Sequence, residues 1–309
     1  MPMEVFQALF TSILPLYVLI ALGWVAGRFF GVERQTMGAL GIFIIQPIVS
    51  FGFVAQLDFK IEYLMIPIMV FTFSSTVLIG AYALGLKIYA DKRANLLAMC
   101  AAMGNTGYFG LPVALLLLDT HWVAVYIFAN LGGVICEATV MYYIANRGAF
   151  DVKTSIKKLM QFPTIYAVAL GIYFNQAGLG LSDQFITYWE YFNGSYIVIG
   201  MMIIGVALSR VKKLVIGPKF MAIAYMGKFL VWPLLSLSFI SIDYHFLQLF
   251  SREVYLIMLV ISIVPPGANI SAFAAQLDLN PEKAATTVLI GTIFALFFIP
   301  AVLILSGLQ

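Results

Sequence analysis

The chain is a succession of long apolar runs separated by short clusters of polar and charged residues. Each run spans about 20 residues, the length that an α-helix needs to cross the hydrocarbon core of a bilayer. The pattern predicts an all-α integral membrane protein with ten transmembrane helices joined by short loops. Their predicted bounds are 6–28, 36–57, 63–87, 96–118, 122–145, 163–179, 191–209, 216–240, 254–277 and 284–305.

The composition agrees with this pattern. Of the 309 residues, 62% are hydrophobic and 10% are charged, against about 45–50% and about 25% in an average soluble domain. So few charges cannot cover the surface of a soluble protein of this size. The first run has neither a basic segment before it nor a small-residue cleavage site, so we expect a first transmembrane helix and not a removed signal peptide. Cys100 and Cys136 lie in apolar runs and predict no disulfide framework.

The positions of the basic residues predict the orientation of the helices, because cytoplasmic loops retain Lys and Arg. Of the 17 Lys and Arg residues, only Lys60 and Arg252 fall in one set of alternate loops, and Lys228 lies within a helix. All the others fall in the second set of loops. We therefore expect a multi-pass protein of the cell (inner or plasma) membrane with both termini on the outer side.

The predicted helices divide into two halves of five. The first half covers residues 1–148, the second covers 163–309, and a basic cytoplasmic linker at 149–162 joins them. Because five is an odd number, the two halves cross the membrane in opposite directions. This is the topology of an inverted repeat.

The fourth helix of each half is interrupted near its midpoint. Helix four contains Gly104-Asn105-Thr106-Gly107-Tyr108-Phe109-Gly110-Leu111-Pro112, and helix nine contains Val264-Pro265-Pro266-Gly267-Ala268-Asn269-Ile270-Ser271. Proline removes an amide donor and glycine permits unusual backbone angles, so we predict that both helices are broken at mid-depth. Exposed backbone at that depth is tolerated only where protein or a water-filled cavity surrounds it.

Two broken helices that meet would direct the positive ends of half-helices at one point, where an anion binds favourably. Asn105 and Asn269 add side-chain amides that suit a carboxylate. Thr106 and Ser271 add hydroxyls, and the freed carbonyls suit a cation. The alternative is that these residues only produce kinks and close packing, since Gly and Pro are common in membrane helices.

With these motifs, the sequence resembles the auxin efflux carrier family, which includes the plant PIN auxin carriers and bacterial malate- and malonate-type permeases. It is more distantly similar to the bile acid:sodium symporters. The resemblance implies two inverted five-helix repeats in which helices four and nine cross at their breaks. It also implies a scaffold of helices 1, 2, 6 and 7, often dimeric, a transport domain of helices 3–5 and 8–10, and a substrate carboxylate held by Asn105 and Asn269. The short middle loop resembles the bacterial branch, because the long hydrophilic loop of many plant members is absent.

Two charged residues lie deep within predicted helices. Glu137 and Lys228 are each about 14–15 Å from the cytoplasmic edge, where a charge costs about 2.5–3.5 kcal/mol. One interpretation is structural: the two residues pair with each other or with carbonyls of the broken helices. In the other, Glu137 takes up a proton or binds sodium, while Lys228 attracts the anion or replaces a cation.

Other intramembrane polar residues carry weaker signals. Gln46 and Pro47 either line the substrate path or mark a plain kink. Asn130 and Asn175 are typical of hydrogen bonds between packed helices. No cluster of His, Cys and acidic residues has metal-ligand spacing, and we expect neither a metal nor a cofactor.

Three other functional classes fit the sequence less well. An intramembrane enzyme needs a nucleophile with its base, paired aspartates or a metal, and Glu137 is the only acid placed within a span. A passive anion channel remains an alternative, although the sequence shows no filter repeat. A receptor usually has a soluble output domain.

We therefore predict a secondary transporter that carries small organic anions, most simply carboxylates, by elevator-like alternating access. The partners expected are the anion, the lipid bilayer and a second copy of the chain, without nucleic acid, and the coupling ion is H⁺ or Na⁺. The alternative within carriers is a sodium-coupled symporter of the bile-acid type, although helix nine has no acidic residue before Asp278. The predicted substrate-binding residues are Asn105, Thr106, Gly107, Pro112, Pro265, Pro266, Gly267, Asn269 and Ser271.

Overall fold

A computed structural model describes residues 2–57, 59–145, 160–211 and 214–308. The described residues form helices and no β-strand. The helices are α1 (Pro2–Phe29), α2 (Arg34–Ala55), α3 (Ile61–Ile88), α4 (Arg93–Ala102), α5 (Thr106–Leu117), α6 (Thr120–Ala145), α7 (Pro163–Gln176), α8 (Asp183–Ser209), α9 (Pro218–Leu247), α10 (Arg252–Ile263), α11 (Asn269–Gln276) and α12 (Pro281–Ser306).

Seven of these helices are long and apolar enough to cross a membrane: α1, α2, α3, α6, α8, α9 and α12. The all-helical prediction is confirmed. The other three predicted crossings fall on the α4–α5 segment, on α7 and on the α10–α11 segment. Helix α7 has 14 residues, and the other two segments are interrupted. The ten-crossing inverted repeat therefore stays a prediction.

Two predicted boundaries differ clearly from the structure. The helix predicted at 216–240 continues to Leu247. The helix predicted at 191–209 begins at Asp183, eight positions earlier. Ser182 caps this helix, because its side chain accepts a hydrogen bond from the Phe185 amide at 3.2 Å. The polar and aromatic first turns are therefore helical although they lack the apolar character used to predict the span.

Prolines explain where three helices, α2, α5 and α9, widen into a single π-helical turn. A proline lacks an N–H, and its ring collides with the carbonyl four residues earlier. In each case that carbonyl belongs to the central residue of the π turn, so the widened turn accommodates the proline. The turns are Gly41–Ile45 before Pro47, Thr106–Gly110 before Pro112, and Gly227–Val231 before Pro233. Two further π turns, Glu137–Met141 and Asp243–Leu247, precede no proline.

Glycines permit close contact between two of the helices. Helix α1 packs along α8, and a Cβ added at Gly23 would lie 2.1 Å from the carbonyl oxygen of Met202. A Cβ added at Gly205 would lie 1.9 Å from that of Ile20. Small residues let helix backbones approach in this way.

Helix α2 packs against α7, where Asn175 donates to the carbonyl of Leu57, as expected for a packing asparagine. Helices α1, α2, α7 and α8 are the four that the resemblance assigns to a scaffold. The division into a scaffold and a transport domain stays a prediction.

The half-helices α4 and α10 are the most deeply buried parts of the molecule. Every residue of 94–102 and of 254–263 is buried. The breaks that follow them are therefore enclosed by protein, which is the condition for interrupted backbone at membrane depth.

Candidate functional site

The two helix breaks contact each other. Gly104 and Pro266 form an isolated antiparallel β-bridge. The amide of Asn105 donates to the carbonyl of Pro265 at 2.8 Å, and the amide of Gly267 donates to the carbonyl of Met103 at 3.0 Å. Each break therefore satisfies backbone groups that the other leaves free.

Two glycines leave the room that the second break needs, because a side chain at either position would collide with it. A Cβ at Gly267 would lie 2.4 Å from Oδ1 of Asn269. A Cβ at Gly291 of α12 would lie 2.8 Å from Cδ of Pro266. Larger residues at either position would push the second break, or the side chain of Asn269, out of place.

A cavity of about 360 Å³ lies beside the crossover. The first turn of α5 borders it, and the amides of Thr106, Gly107 and Tyr108 have no acceptor within their own helix because they begin it. The cavity is lined by Arg34, Ile42, Gln46, Gly104, Asn105, Thr106, Gly107, Tyr108, Asn130, Val134, Glu137, Phe162, Tyr196, Asn269, Ala272, Phe273 and Gln276.

Three buried polar atoms in this lining lack a hydrogen-bond partner in the described part of the chain. They are Nδ2 of Asn105, the hydroxyl of Tyr196 and Oδ1 of Asn130. Asn105 is 6% exposed and Tyr196 is 1% exposed. Buried polar groups are nearly always paired, so unpaired ones around a cavity indicate a place for a bound polar molecule.

The two crossover asparagines are not equivalent. Nδ2 of Asn269 donates to Oε1 of Glu137 at 2.7 Å, whereas Nδ2 of Asn105 has no partner among the described residues. An amide NH₂ group carries two N–H donors, so Asn269 keeps one for a ligand. The hydrogen bond also places the carboxylate of Glu137 in the wall of the cavity.

Arg34 brings a positive charge to the same cavity. It is the first residue of α2 and is half-buried. Among the described lining residues, Arg34 and Glu137 are the charged ones, so their formal charges cancel. The sequence identifies Arg34 only as a basic loop residue and Tyr108 only as part of the helix-four motif. No pattern identifies Tyr196, Phe162, Phe273 or Gln276.

Lys228 lies behind the crossover and outside the lining of this cavity. Its side chain is fully buried, and Nζ donates to the carbonyl of Ser262 at 3.0 Å. Lys228 and Glu137 border a second cavity of about 40 Å³, but no ion pair joins them within the described ranges. Of the two structural interpretations, the contact with a broken-helix carbonyl is the one seen for Lys228.

The remaining predicted site residues divide between the lining and its support. Thr106, Gly107 and Gln46 border the cavity together with the two asparagines. The other predicted residues lie outside the lining. Pro47 is in α2 beside Gln46, and the two breaks or the helical turns that follow them contain Pro112, Pro265, Pro266, Gly267 and Ser271. Asn130, predicted as a packing residue, instead presents an unpaired oxygen to the cavity.

Comparison with known proteins gives two findings. A family model described as "Membrane transport protein" matches residues 8–163 and 150–303, and these two segments include both breaks. A protein of Methanocaldococcus jannaschii, named only as an uncharacterized transporter, is 27% identical over 245 residues. The aligned region covers 77% of this chain and 78% of that relative.

Proposed function

Because the chain belongs to the membrane transport protein family, that of the auxin efflux carriers, we propose that this multi-pass transporter is a secondary carrier for small organic anions. The anion binds in the cavity beside the crossover. Carboxylates are the class of anion proposed, since the buried donors without a partner among the described residues are a neutral amide and a hydroxyl, beside the half-helix amides of α5.

The unpaired amide of Asn105 is the observation that carries this proposal. It is a buried donor beside the first turn of α5, whose backbone amides and positive dipole end also favour a negative charge. A carboxylate oxygen that accepted from Asn105 would satisfy it without a fixed positive charge. Tyr196 and the second N–H of Asn269 would supply further donors.

The position of the cavity supports alternating access. Its lining runs from the crossover to Arg34 at the start of α2, Phe162 just before α7 and Gln276 at the end of α11. By the charge distribution of the loops, these helix ends are cytoplasmic. We therefore assign the structure to the inward-facing state of an elevator-like carrier. The same proposal includes ten membrane crossings, both termini outside and a homodimer.

The test is a thermal-shift screen of the purified protein against monocarboxylates, dicarboxylates and indole acids. A ligand at about 100 times its dissociation constant stabilises the folded state by about 2.7 kcal/mol. Asn105→Ala should weaken the binding of any active anion by about 10–100-fold, which corresponds to the loss of a hydrogen bond to a charged group.

The matched control is Asn193→Ala. Asn193 also has a side-chain oxygen without a partner among the described residues, but it lies outside the cavity lining. The Asn193→Ala variant should show the same ligand-induced thermal shift as wild type. An equal shift in Asn105→Ala and wild type would place the anion elsewhere.

Uptake by reconstituted vesicles separates the carrier from its alternatives. A coupled carrier accumulates anion against its gradient, whereas a channel only equilibrates it. Collapse of the proton gradient should stop accumulation, and removal of sodium should not. The opposite pattern would favour a sodium-coupled symporter of the bile-acid type.

A further inference from the structure

The breaks create two negative half-helix ends as well as two positive ones. Helix α4 ends at Ala102 and α10 ends at Ile263, both at the crossover. The last carbonyls of a helix have no partner within it, and they carry a partial negative charge. In the membrane interior these carbonyls must find a donor in the protein or in a bound ion.

A single helix, α9, supplies a donor to each of these ends. Nζ of Lys228 donates to the carbonyl of Ser262 in the last turn of α10, at 3.0 Å. Nε1 of Trp232 donates to the carbonyl of Ala102, the last residue of α4, at 3.2 Å. Residues four apart share one face of a helix, so α9 closes both ends from one side.

The ammonium of Lys228 lies directly against the crossover. A Cβ added at Gly104 would be 3.1 Å from Nζ, and Nζ lies 5.5 Å from the centre of the Trp232 ring. The ammonium borders the small cavity together with Ser74, Thr106 and Glu137. A carbonyl at the negative end of a helix and an aromatic ring both favour a positive charge at this position.

We propose that Lys228 is a tethered cation that takes the place of a solute cation at the negative ends of the broken helices. The inference rests on the proposed anion site, because it assigns the positive ends of the crossover to the anion. Lys228 neutralises the negative end of α10 while Trp232 caps that of α4, so the crossover assembles and binds the anion without sodium. Removal of the side chain leaves a space that a small solute cation fills.

The experiment measures the unfolding midpoint with and without the active anion, first in sodium chloride and then in choline chloride. Wild type should behave identically in the two salts. Lys228→Ala in choline should unfold at a lower temperature and bind the anion at least tenfold more weakly. Ammonium or methylammonium chloride should restore both properties. Lys219→Ala removes an exposed lysine at the start of the same helix and should change neither.

Two results would overturn the inference. One is a sodium requirement in wild type, and the other is a Lys228→Ala variant whose unfolding midpoint and anion affinity are the same in choline chloride as in ammonium chloride. If no anion shifts the wild-type midpoint, the proposed function fails. The effect of ammonium on the midpoint of Lys228→Ala alone still decides the role of Lys228. If that variant cannot be recovered in either buffer, the comparison of wild type in sodium and choline decides it.

Discussion

At the residue scale, the hydrogen bond between Asn269 and Glu137 connects the anion site to a titratable group. Glu137 is in the cavity wall, 2.7 Å from the amide of Asn269. An ionised carboxylate repels a bound anion through a medium of low dielectric constant. Protonation of Glu137 removes this repulsion, so one proton should enter with each anion.

Glu137→Gln should therefore abolish the pH dependence of anion binding. In wild type the affinity should rise as the pH falls, because the neutral acid binds the anion more tightly than the carboxylate does. The variant should bind at every pH as wild type binds at low pH. Titration calorimetry between pH 5 and 8 measures both the affinity and the proton uptake.

Glu282→Gln is the control, since Glu282 is exposed at the start of α12. It should keep the wild-type pH profile. A Glu137→Gln variant with an unchanged profile would assign the titration to another group in the cavity wall, and Glu137 would then be a structural partner of Asn269.

Trp232→Phe tests the second contact made by α9. The substitution keeps most of the buried ring but removes the N–H that donates to Ala102 at 3.2 Å. A buried carbonyl without a partner costs about 1–3 kcal/mol, so the unfolding midpoint should fall. Trp24→Phe, at an exposed tryptophan of α1, should have little effect. Equal midpoints for the two variants would mean that water satisfies the Ala102 carbonyl.

The candidate site could be predicted where a polar residue interrupts an apolar run. Asn105, Asn269 and Glu137 stand out for that reason, and the structure brings them together. Tyr196 does not stand out, because tyrosine is common in membrane helices, and Arg34 resembles any other basic residue at a helix end. The bond between Glu137 and Asn269 joins residues 132 positions apart, and no local pattern indicates such a pair.

At the scale of helices, close approach of α1 and α8 depends on the absence of side chains. Gly205→Ala should destabilise the protein, because its Cβ would lie 1.9 Å from the carbonyl oxygen of Ile20 and the backbones would have to separate. Overpacking of this kind costs about 1–3 kcal/mol. The unfolding midpoint in detergent measures the effect.

Gly194→Ala is the matched control on the same helix. Nothing lies within 4 Å of a Cβ at Gly194, and alanine favours a helix over glycine by about 0.5–1 kcal/mol. Its midpoint should equal or exceed that of wild type. If both variants behave alike, α1 and α8 are less closely packed in solution than in the structure.

Hydropathy predicts the positions of the helices better than their boundaries. Gly and Pro within apolar runs predict the breaks, and the breaks occur where predicted. Hydropathy does not predict the start of α8, because the first turns of this helix are polar and depend on the Ser182 cap. The π turns before Pro47, Pro112 and Pro233 depend on how each helix relieves a local clash, and hydropathy carries no information about that choice.

At the scale of the whole molecule, the described lining of the cavity extends to helix ends at Arg34, Phe162 and Gln276, which the basic loops predict to be cytoplasmic. Gln276 is exposed and borders the cavity at that end of α11. Gly180 is exposed in the connection between α7 and α8, which the predicted topology places outside. Cys100 and Cys136 are buried, so a new cysteine at either position can be labelled over a low background.

Gln276→Cys should react with a membrane-impermeant maleimide only from the cytoplasmic side, and a transported anion should slow the reaction because it occupies the same cavity. Gly180→Cys should react only from the outer side at a rate that the anion does not alter. Right-side-out and inside-out vesicles, labelled in parallel, give both rates. Labelling of both cysteines from the same side would contradict the topology, since the proposed crossings place the two positions on opposite sides of the membrane. If each cysteine reacts from the predicted side but the anion does not slow the reaction of Gln276→Cys, the topology is supported and the substrate does not bind in this cavity.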